Sequence, residues 1–344
     1  MRTTRTAAWL LLAAGAIHLA RRRRRRHLAG KVALVTGGSR GLGLILAREL
    51  GGRGMRIVIC ARDEEELERA RASLSDLGIE VLALPCDVAD EDGISGLVAD
   101  VTEHLGAIDV LVNNAGIIQV GPAESMRLED YRHAMDTMFW GAVYATYAVL
   151  PQMRARRSGS IVNVTSIGAT VGVPHLAPYD AAKFALRGFS EALGTEAAKD
   201  GVRVLTVVPG LMRTGSFGHA LVTGQRRAEA TMFSVASSVP LLTSSAERAA
   251  RRIVRAIEAG ETFVVIGVPA KLLRLVHALF PAVILDALGL VNRLLPSAPR
   301  AQGQQIPLPG EIFRSGIGRS FLTRLGDRAA ERYNEEPGPP DEAI

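Results

Sequence analysis

The chain of 344 residues contains few cysteines and few aromatic residues. Only two cysteines occur, Cys60 and Cys86, and aromatic side chains make up 5% of the sequence. Two thiols cannot form the disulfide framework of a small secreted protein, and no Cys/His spacing indicates a metal site. Each cysteine ends a predicted strand, so we expect two reduced, buried thiols in a cytosolic protein. Abundant glycine and alanine indicate closely packed parallel-sheet layers rather than a β-sandwich.

Acidic residues are absent from residues 1–30, which hold eight arginines. Without this segment the net charge falls from +6 to −2, so the rest of the chain lacks the basic surface of a nucleic-acid-binding domain. We therefore expect no nucleic-acid partner. A long apolar run is also lacking, because residues 7–20, interrupted only by His18, span about 21 Å as a helix. A bilayer core is roughly 30 Å thick.

Six arginines, residues 21–26, follow this apolar run where a signal peptide would have a small-residue cleavage site. By the positive-inside rule they keep the downstream chain in the cytoplasm. We favour membrane association of residues 7–26, as a short anchor or a helix in the membrane plane. The alternatives are a disordered extension or an upstream start codon that is not used.

From residue 31 onward, strand and helix patterns alternate. Asp63 is expected to cap the second helix and Pro151 to interrupt the fourth. The alternation predicts a single domain with a Rossmann-like, doubly wound parallel α/β sheet of about seven strands. Strands are predicted at residues 31–36, 55–61, 80–84, 109–112, 160–164, 203–208 and 262–266, and helices at residues 42–52, 63–77, 90–105, 126–156, 178–199 and 247–259.

Two segments depart from this alternation. Residues 211–245 contain no clear strand and are expected to cover a ligand crevice. Residues 269–295 are strongly apolar, with four basic side chains and a division at Pro281. They either pack on the domain edge or form an amphipathic surface that lines a lipophilic entrance or touches a membrane. From Arg328 on, we expect disorder. The predicted regions are an N-terminal segment (1–27), the Rossmann domain (28–267), an apolar helical extension (268–300) and a polar tail (301–344).

A glycine-rich turn follows the first predicted strand and opens the first helix. Such a turn lets the backbone approach a pyrophosphate, and the helix N-terminus offers N–H groups to the anion; the alternative is a tight turn without a ligand. At the end of the second strand, where an NAD-binding protein usually has an acid that binds the ribose, this chain has Ala61. Arg62 and the turn residue Arg40 suit a 2′-phosphate, which favours NADP (NADPH) over NAD as the cofactor. The turn residues expected to bind the cofactor are Thr36, Gly37, Ser39, Arg40, Gly41, Leu42 and Gly43.

Ser166, Tyr179 and Lys183 form the strongest functional pattern. Ser166 follows the fifth predicted strand, and Tyr179 and Lys183 are four residues apart, on one face of a helix. A nearby ammonium group and the positive charge of a nicotinamide would lower the pKa of Tyr179. The phenol could then exchange a proton with a substrate oxygen that Ser166 also binds.

These motifs resemble the classical short-chain dehydrogenase/reductase family over about residues 28–267. The resemblance implies an NADP-dependent enzyme that interconverts an alcohol and a ketone or aldehyde, with Ser166, Tyr179 and Lys183 as catalytic residues. Membrane-associated members that act on steroids, retinoids or long-chain carbonyls suggest a lipophilic substrate. Family members also form dimers and tetramers through their fourth and fifth helices. Further cofactor contacts are implied for Asp87, Val88, Asn113, Ala115, Gly116, Tyr179, Lys183, Pro209, Gly210 and Thr214.

One position departs from the family pattern. Met138 stands three residues before Gly141, where the family usually has an asparagine that supports the catalytic lysine through a water. A methionine keeps the main-chain carbonyl but loses the side-chain amide, so we expect activity with a weakened proton relay. The alternative function is a non-catalytic NADP-binding sensor or scaffold. An epimerase or dehydratase of the extended relatives would need a larger C-terminal domain and a different glycine spacing.

Overall fold

The computed structural model describes residues 26–240, 243–298, 305–313 and 323–335. The predicted membrane segment at residues 7–26 therefore lies outside the described residues, except for Arg26. Its backbone N–H donates to the carbonyl of Glu258 (2.8 Å), and its guanidinium donates to the Ser160 hydroxyl (2.8 Å). The last arginine of the basic run is thus bonded to the folded domain.

A seven-stranded parallel sheet forms the centre of the molecule, as the sequence predicts. The strands of the protein are β1 (Val32–Thr36), β2 (Arg56–Ala61), β3 (Val81–Pro85), β4 (Ile108–Asn113), β5 (Gln119–Val120), β6 (Gly159–Val164), β7 (Val202–Pro209), β8 (Met212–Arg213), β9 (Leu221–Val222), β10 (Ser244–Ser245), β11 (Phe263–Ile266) and β12 (Leu308–Pro309). The strand order of the central sheet is β11-β7-β6-β4-β1-β2-β3, so the chain winds outward in both directions from β1. The carboxyl ends of its seven strands lie at one edge, where an open parallel sheet binds ligands.

Helices cover both faces of this sheet. Asp63 caps its helix as predicted, because its carboxylate accepts from the Glu66 N–H (2.7 Å). The helices are α1 (Gly41–Gly51), α2 (Glu64–Ser75), α3 (Glu91–Leu105), α4 (Leu128–Met135), α5 (Gly141–Ala155), α6 (Ala177–Ala197), α7 (Arg226–Ala236), α8 (Ala246–Ala259), α9 (Val268–Leu279), α10 (Pro281–Asn292) and α11 (Arg324–Arg332).

Alternate residues of each strand enter the two hydrophobic cores. In β1, Ala33 and Val35 face the core that includes α1 and α8, while Val32 and Leu34 face the core that includes α3 and α5. All four are almost fully buried, as expected for a strand covered on both faces. Burial at about 25 cal/mol per Å² of apolar surface makes these layers the main source of stability.

The two cysteines lie on neighbouring strands, in agreement with the sequence. Register pairs Cys60 of β2 with Leu84 of β3, and Cys86 follows the end of β3. Both thiols are free. Cys60 is fully buried, and burial raises its thiol pKa, whereas Cys86 is only half-buried rather than buried as expected.

The long helix predicted at residues 126–156 is broken at a different place. The interruption is a π-helical turn at Asp136–Trp140, between α4 and α5. Pro151 lies inside α5 on its solvent side and does not break it. The predicted break at Pro151 was wrong. A proline on an exposed helix face removes one backbone hydrogen bond, but its ring disturbs no residue of the core, so the helix continues through it.

Residues 211–245 are more regular than the sequence indicates. Short strands β8, β9 and β10 and helix α7 occupy this segment. Strand β9 joins β5 and β12 in a small three-stranded sheet beside the main one. Two-residue strands leave no alternation pattern long enough to detect in a sequence, which explains the difference.

The apolar segment at residues 269–295 forms the helical hairpin α9–α10, with Pro281 at the first position of α10. Among the described residues, packing on the domain edge, one of the two interpretations, involves only a small part of this surface. Ala270 is the single buried residue of α9, and α10 has none. In the described part of the chain, no helix has the length and apolar character needed to cross a membrane.

The tail is ordered beyond Arg328, contrary to expectation. Helix α11 runs through Arg332, and Ala329 and Tyr333 are buried in the core that includes α1. These two positions are four residues apart and share one helix face. Residues 336–344 lie outside the described residues.

Asp180 connects α6 to the loop that follows β6. Its carboxylate accepts a hydrogen bond from the Val173 N–H (2.6 Å), and a Cβ atom on Gly168 would overlap its other oxygen. Burial raises the pKa of Asp180 from 3.8 to about 7. The folded state therefore binds more protons than the unfolded chain between these values. The stabilisation from this group is present below about pH 4 and is lost as the pH rises through 7.

Replacing Asp180 by asparagine should remove this pH dependence, because an amide keeps the acceptor for Val173 but cannot ionise. We expect the unfolding free energy of Asp180→Asn, relative to that of the wild type, to increase by about 2–4 kcal/mol as the pH rises from 4 to 8. Urea denaturation across this range measures the difference. Asp92→Asn, on the exposed start of α3, is the control. Parallel pH profiles of the wild type and Asp180→Asn would contradict the assignment.

Candidate active site

The glycine-rich turn lies between the end of β1 and the start of α1. A Cβ atom on Gly43 would overlap the carbonyl oxygen of Gly37, and Gly41 has a φ of +55°, so glycine is needed at both positions. Arg40 precedes α1 without a side-chain cap. Helices α2, α3 and α8, in contrast, begin with capping Asp63, Asp90 and Ser245. The first turn of α1 thus has no capping side chain, although its Gly41 N–H donates to the Tyr333 carbonyl (2.9 Å), and a helix start of this kind suits a pyrophosphate.

The loop after β4 holds this turn in place. The Asn114 amide donates to the carbonyls of Thr36 (3.1 Å) and Gly37 (2.9 Å). The Thr36 hydroxyl accepts from the N–H groups of Asn114 (3.0 Å) and Ala115 (3.2 Å). Asn113 instead points into the protein and donates to the Asn163 side chain (2.8 Å). Asn114, the neighbour of Asn113 in the motif that resembles the family's, thus supports the turn directly.

Arg40 and Arg62, predicted to bind the 2′-phosphate, follow β1 and β2, and Asp87, predicted to meet the adenine, follows β3. Arg62 is exposed, and its guanidinium is 4.0 Å from the Asp87 carboxylate, so two of the predicted cofactor residues are brought together. Arg40 is paired with Glu66 (3.2 Å) and with Glu335 (3.0 Å). The sequence predicted neither acidic partner.

Ser166, Tyr179 and Lys183 meet at the carboxyl end of β6. The Ser166 side chain hydrogen-bonds the Tyr179 phenol and accepts from the Gly168 N–H (3.1 Å). Lys183 donates to the carbonyl of Val164 (3.0 Å), and its ammonium lies 5.8 Å from the centre of the Tyr179 ring. The backbone of β6 therefore fixes the lysine beneath the tyrosine.

Burial controls the protonation of this group. It raises the pKa of Tyr179 to about 12, against the hydrogen bond from Ser166, and lowers the pKa of Lys183 to about 8. Desolvation outweighs the stabilisation of the tyrosinate by Ser166. The lowering expected from the sequence also depends on the positive charge of a bound nicotinamide. The phenol is thus protonated at neutral pH and can donate a proton.

Met138 lies beside this group in the π-helical turn. Its side chain is 1% exposed and packs in a cluster with Tyr179 and Ala182. A Cβ atom on Gly116 would lie 3.4 Å from the Met138 sulfur and 3.5 Å from the Lys183 ammonium. The thioether therefore borders the lysine, at the place where the sequence pattern would put a polar amide.

The segment after β7 borders the glycine-rich turn. Thr214 is buried and lies 3.9 Å from the position of a Cβ atom on Gly41. Gly210 donates its N–H to the Ile266 carbonyl (3.0 Å), which holds the segment at the end of β11. Pro209 and Thr214 are thus placed along the same edge as the turn. Val88, in contrast, is buried against Gly141.

Two contacts that the sequence missed involve the loop before Tyr179 and the C-terminal segment. His175 has a left-handed φ of +68°, and its ring lies 2.9 Å from the buried Glu229 of α7. Tyr333, Asn334 and Glu335 contact the glycine-rich turn. The spacing of Ala329 and Tyr333 was the available sequence signal for the second contact.

Comparisons with known proteins agree with this geometry. A family model described as short chain dehydrogenase matches residues 31–222. The chain is 40% identical over 204 residues to the dehydrogenase/reductase SDR family protein 7-like of Anopheles gambiae, covering 58% of this chain but only 64% of that protein. It is 40% identical over 184 residues to a 3-oxoacyl-(acyl-carrier-protein) reductase of Bos taurus, covering 54% of this chain and 76% of the relative.

A comparison with a solved structure also agrees with this geometry. The F189W actinorhodin polyketide ketoreductase, crystallised with NADPH, superposes with a TM-score of 0.60 at 33% identity, covering 69% of this chain and 95% of that structure. The sequence match, the seven-stranded parallel sheet and the grouping of Ser166, Tyr179 and Lys183 are therefore consistent with one another. The chain belongs to the short chain dehydrogenase family.

Proposed function

We propose that this protein is an NADP-dependent oxidoreductase that interconverts an alcohol and a lipophilic ketone or aldehyde. The observation that carries the proposal is the contact between Ser166 and Tyr179 above the buried Lys183, at the sheet edge that also bears the glycine-rich turn. Reductases of this family act on carbonyl groups, as the names of the bovine and actinorhodin relatives state.

The cofactor is proposed to lie along the carboxyl edge of the sheet. The first turn of α1 would bind its pyrophosphate, and Arg40 and Arg62 would bind the 2′-phosphate. Asp87 would approach the adenine, and Thr214 the nicotinamide carboxamide. NADPH in the actinorhodin ketoreductase supports this choice of cofactor.

Tyr179 is proposed to be the general acid. When bound, NADPH supplies the hydride that adds to the carbonyl carbon. The Tyr179 phenol donates its proton to the carbonyl oxygen, which Ser166 holds by a hydrogen bond, so that an alcohol forms. Lys183 stabilises the resulting tyrosinate, and a proton from solvent restores the phenol. At neutral pH the Tyr179 phenol is protonated, so it carries the proton that this direction requires.

Removing the Tyr179 hydroxyl should abolish turnover while NADPH still binds. We expect Tyr179→Phe to lower kcat/KM for a ketone by about 10²–10⁴, the usual contribution of a general acid. NADPH oxidation at 340 nm measures the rate, and nicotinamide fluorescence measures binding. Tyr147→Phe, on the exposed face of α5, is the matched control. A Tyr179→Phe variant with more than one tenth of wild-type activity would contradict the proposed role.

A non-catalytic NADP-binding sensor or scaffold is the second candidate, and Met138 is the observation that favours it. If the thioether beside Lys183 only weakens proton return, the wild type reduces carbonyls and Met138→Asn raises kcat. If it disables the relay, the wild type binds NADPH without turnover, and Met138→Asn restores reduction of a carbonyl panel. The first result supports the enzyme and the second supports the sensor.

The hairpin α9–α10 supports a lipophilic substrate and contact with a membrane. Leu272, Leu275 and Leu279 lie along one face of α9 and are each more than half exposed. The apolar side chains of α10 are also exposed, including Val283 and Leu290. An apolar surface that the described part of the chain leaves exposed is typical of an interaction site. The hairpin carries Lys271, Arg274, His277 and Arg293 against one acid, Asp286, so its charge complements an anionic lipid surface.

Replacing apolar hairpin residues by acids should release the protein from lipid. We expect Leu272→Glu/Leu279→Glu to reduce binding to vesicles of phosphatidylcholine and phosphatidylglycerol at least tenfold in a flotation assay. Leu77→Glu, an equally exposed leucine after α2, is the control. Vesicle binding unchanged by the hairpin variant would exclude this surface as the membrane contact, and a halved mass in solution would identify a second copy as its occupant instead.

The same proposal includes a homo-oligomer formed through α4, α5 and α6. Trp140, Tyr147 and Phe184 are exposed aromatic residues in or between these helices. Large exposed rings are enriched at protein–protein interfaces. Multi-angle light scattering gives the mass directly, and a monomer at micromolar concentration would exclude this interface.

A further inference from the structure

Residues 323–335 lie against the glycine-rich turn and the segment after β7. A Cβ atom on Gly215 would overlap Ala330, and one on Gly326 would contact Phe217 at 2.6 Å. Ala329 and Tyr333 are buried in the core that includes α1. The segment therefore packs as closely as the domain core at this edge, although it is nearly 300 residues from the turn in sequence.

Tyr333 and Asn334 of this segment form hydrogen bonds with backbone groups in and beside the turn. The Gly41 N–H, the first of α1, donates to the Tyr333 carbonyl (2.9 Å). The Asn334 amide donates to the carbonyls of Ser39 (2.9 Å) and Glu66 (3.0 Å). An N–H group donates one hydrogen, so a phosphate oxygen cannot bind the Gly41 N–H while Tyr333 does.

Glu335 places a carboxylate at the same point. Its side chain is 4% exposed, and one carboxylate oxygen accepts from the Arg40 guanidinium (3.0 Å). The other oxygen contacts the position of a Cβ atom on Gly41. Burial raises the pKa of Glu335 to about 7, against the attraction of Arg40. A buried anion on an arginine and at the N-terminus of a helix has the two partners that a phosphate group would have there.

Arg40 already binds two carboxylates in this arrangement. Its Nε lies 3.2 Å from Glu66 and its Nη1 lies 3.0 Å from Glu335. Bringing a phosphate of charge near −2 beside two buried carboxylates would place like charges together in a poorly hydrated environment. Binding of the phosphate at this position therefore requires that Glu335 leave.

We propose that residues 323–335 are a displaceable cover of the cofactor site, in which the Glu335 carboxylate holds the place of a cofactor phosphate on Arg40 and Gly41. The inference rests on the proposed function, since the ligand that competes with Glu335 is NADPH. The cover lowers the apparent affinity for NADPH by the fraction of molecules in which it is open. It also makes cofactor binding depend on any partner or change that moves the C-terminal segment.

Neutralising Glu335 should open the cover without removing packing. We expect Glu335→Gln to bind NADPH about tenfold more tightly than wild type, which corresponds to a cover that is closed in about nine molecules of ten. Nicotinamide fluorescence or calorimetry with the full-length protein gives the dissociation constants. Glu331→Gln removes the same charge from the exposed face of α11 and should change the affinity less than twofold.

Hydrogen exchange provides a second measurement that does not depend on a variant. Saturating NADPH should speed amide exchange at residues 323–335 of the wild type, because the cover is displaced. Weaker NADPH binding by Glu335→Gln, or slower exchange at residues 323–335 with NADPH, would show that the segment holds the cofactor and would overturn the proposal. Equal affinities in an enzyme that still reduces carbonyls would overturn the cover alone. No NADPH binding by wild type or either variant would overturn the proposed function, and the cover with it.

Discussion

The close approach of Gly43 to the Gly37 carbonyl is the contact on which this edge of the molecule depends. It lets α1 begin directly behind the end of β1, and any side chain at position 43 would push the helix away. Asn114 closes the same turn from β4 by bonding the carbonyls of Thr36 and Gly37. Strand β1 lies between β2 and β4 in the sheet. This one turn therefore sets the distance between the proposed phosphate-binding residues, Arg40 and Arg62, and the loop after β4 that extends toward Tyr179.

Burial then gives the side chains of the site their chemical character. It opposes the charged form of both Tyr179 and Lys183, raising one pKa to about 12 and lowering the other to about 8. A partly buried phenol beside a buried amine suits the proposed transfer of one proton away from bulk water. The same principle explains Glu335, a carboxylate that burial disfavours and that Arg40 retains. A ligand phosphate that takes over Arg40 would return Glu335 to water.

The sequence predicted the seven strands, their parallel winding and the place of the glycine-rich turn, because these features rest on local patterns of apolar residues and glycine. Ser166, Tyr179 and Lys183 could also be proposed from their order and spacing after the glycine-rich turn. The π-helical turn around Met138 could not, since it differs from an α-helix by one residue of hydrogen-bond register. The contact of Glu335 with Arg40 joins residues 295 positions apart, and no local pattern encodes it. The direction of the Tyr179 pKa depended on how deeply the ring is buried, which only the packed structure defines.

The central claim is that this family member reduces lipophilic carbonyls with NADPH. The most direct measurement is kcat/KM for a series of ketones and aldehydes of increasing chain length, with NADPH and with NADH. We expect kcat/KM to rise with chain length and to be at least about tenfold higher with NADPH, because Arg40 and Arg62 are proposed to bind the 2′-phosphate. Turnover that favours short polar carbonyls, a preference for NADH, or no turnover with either cofactor would contradict it.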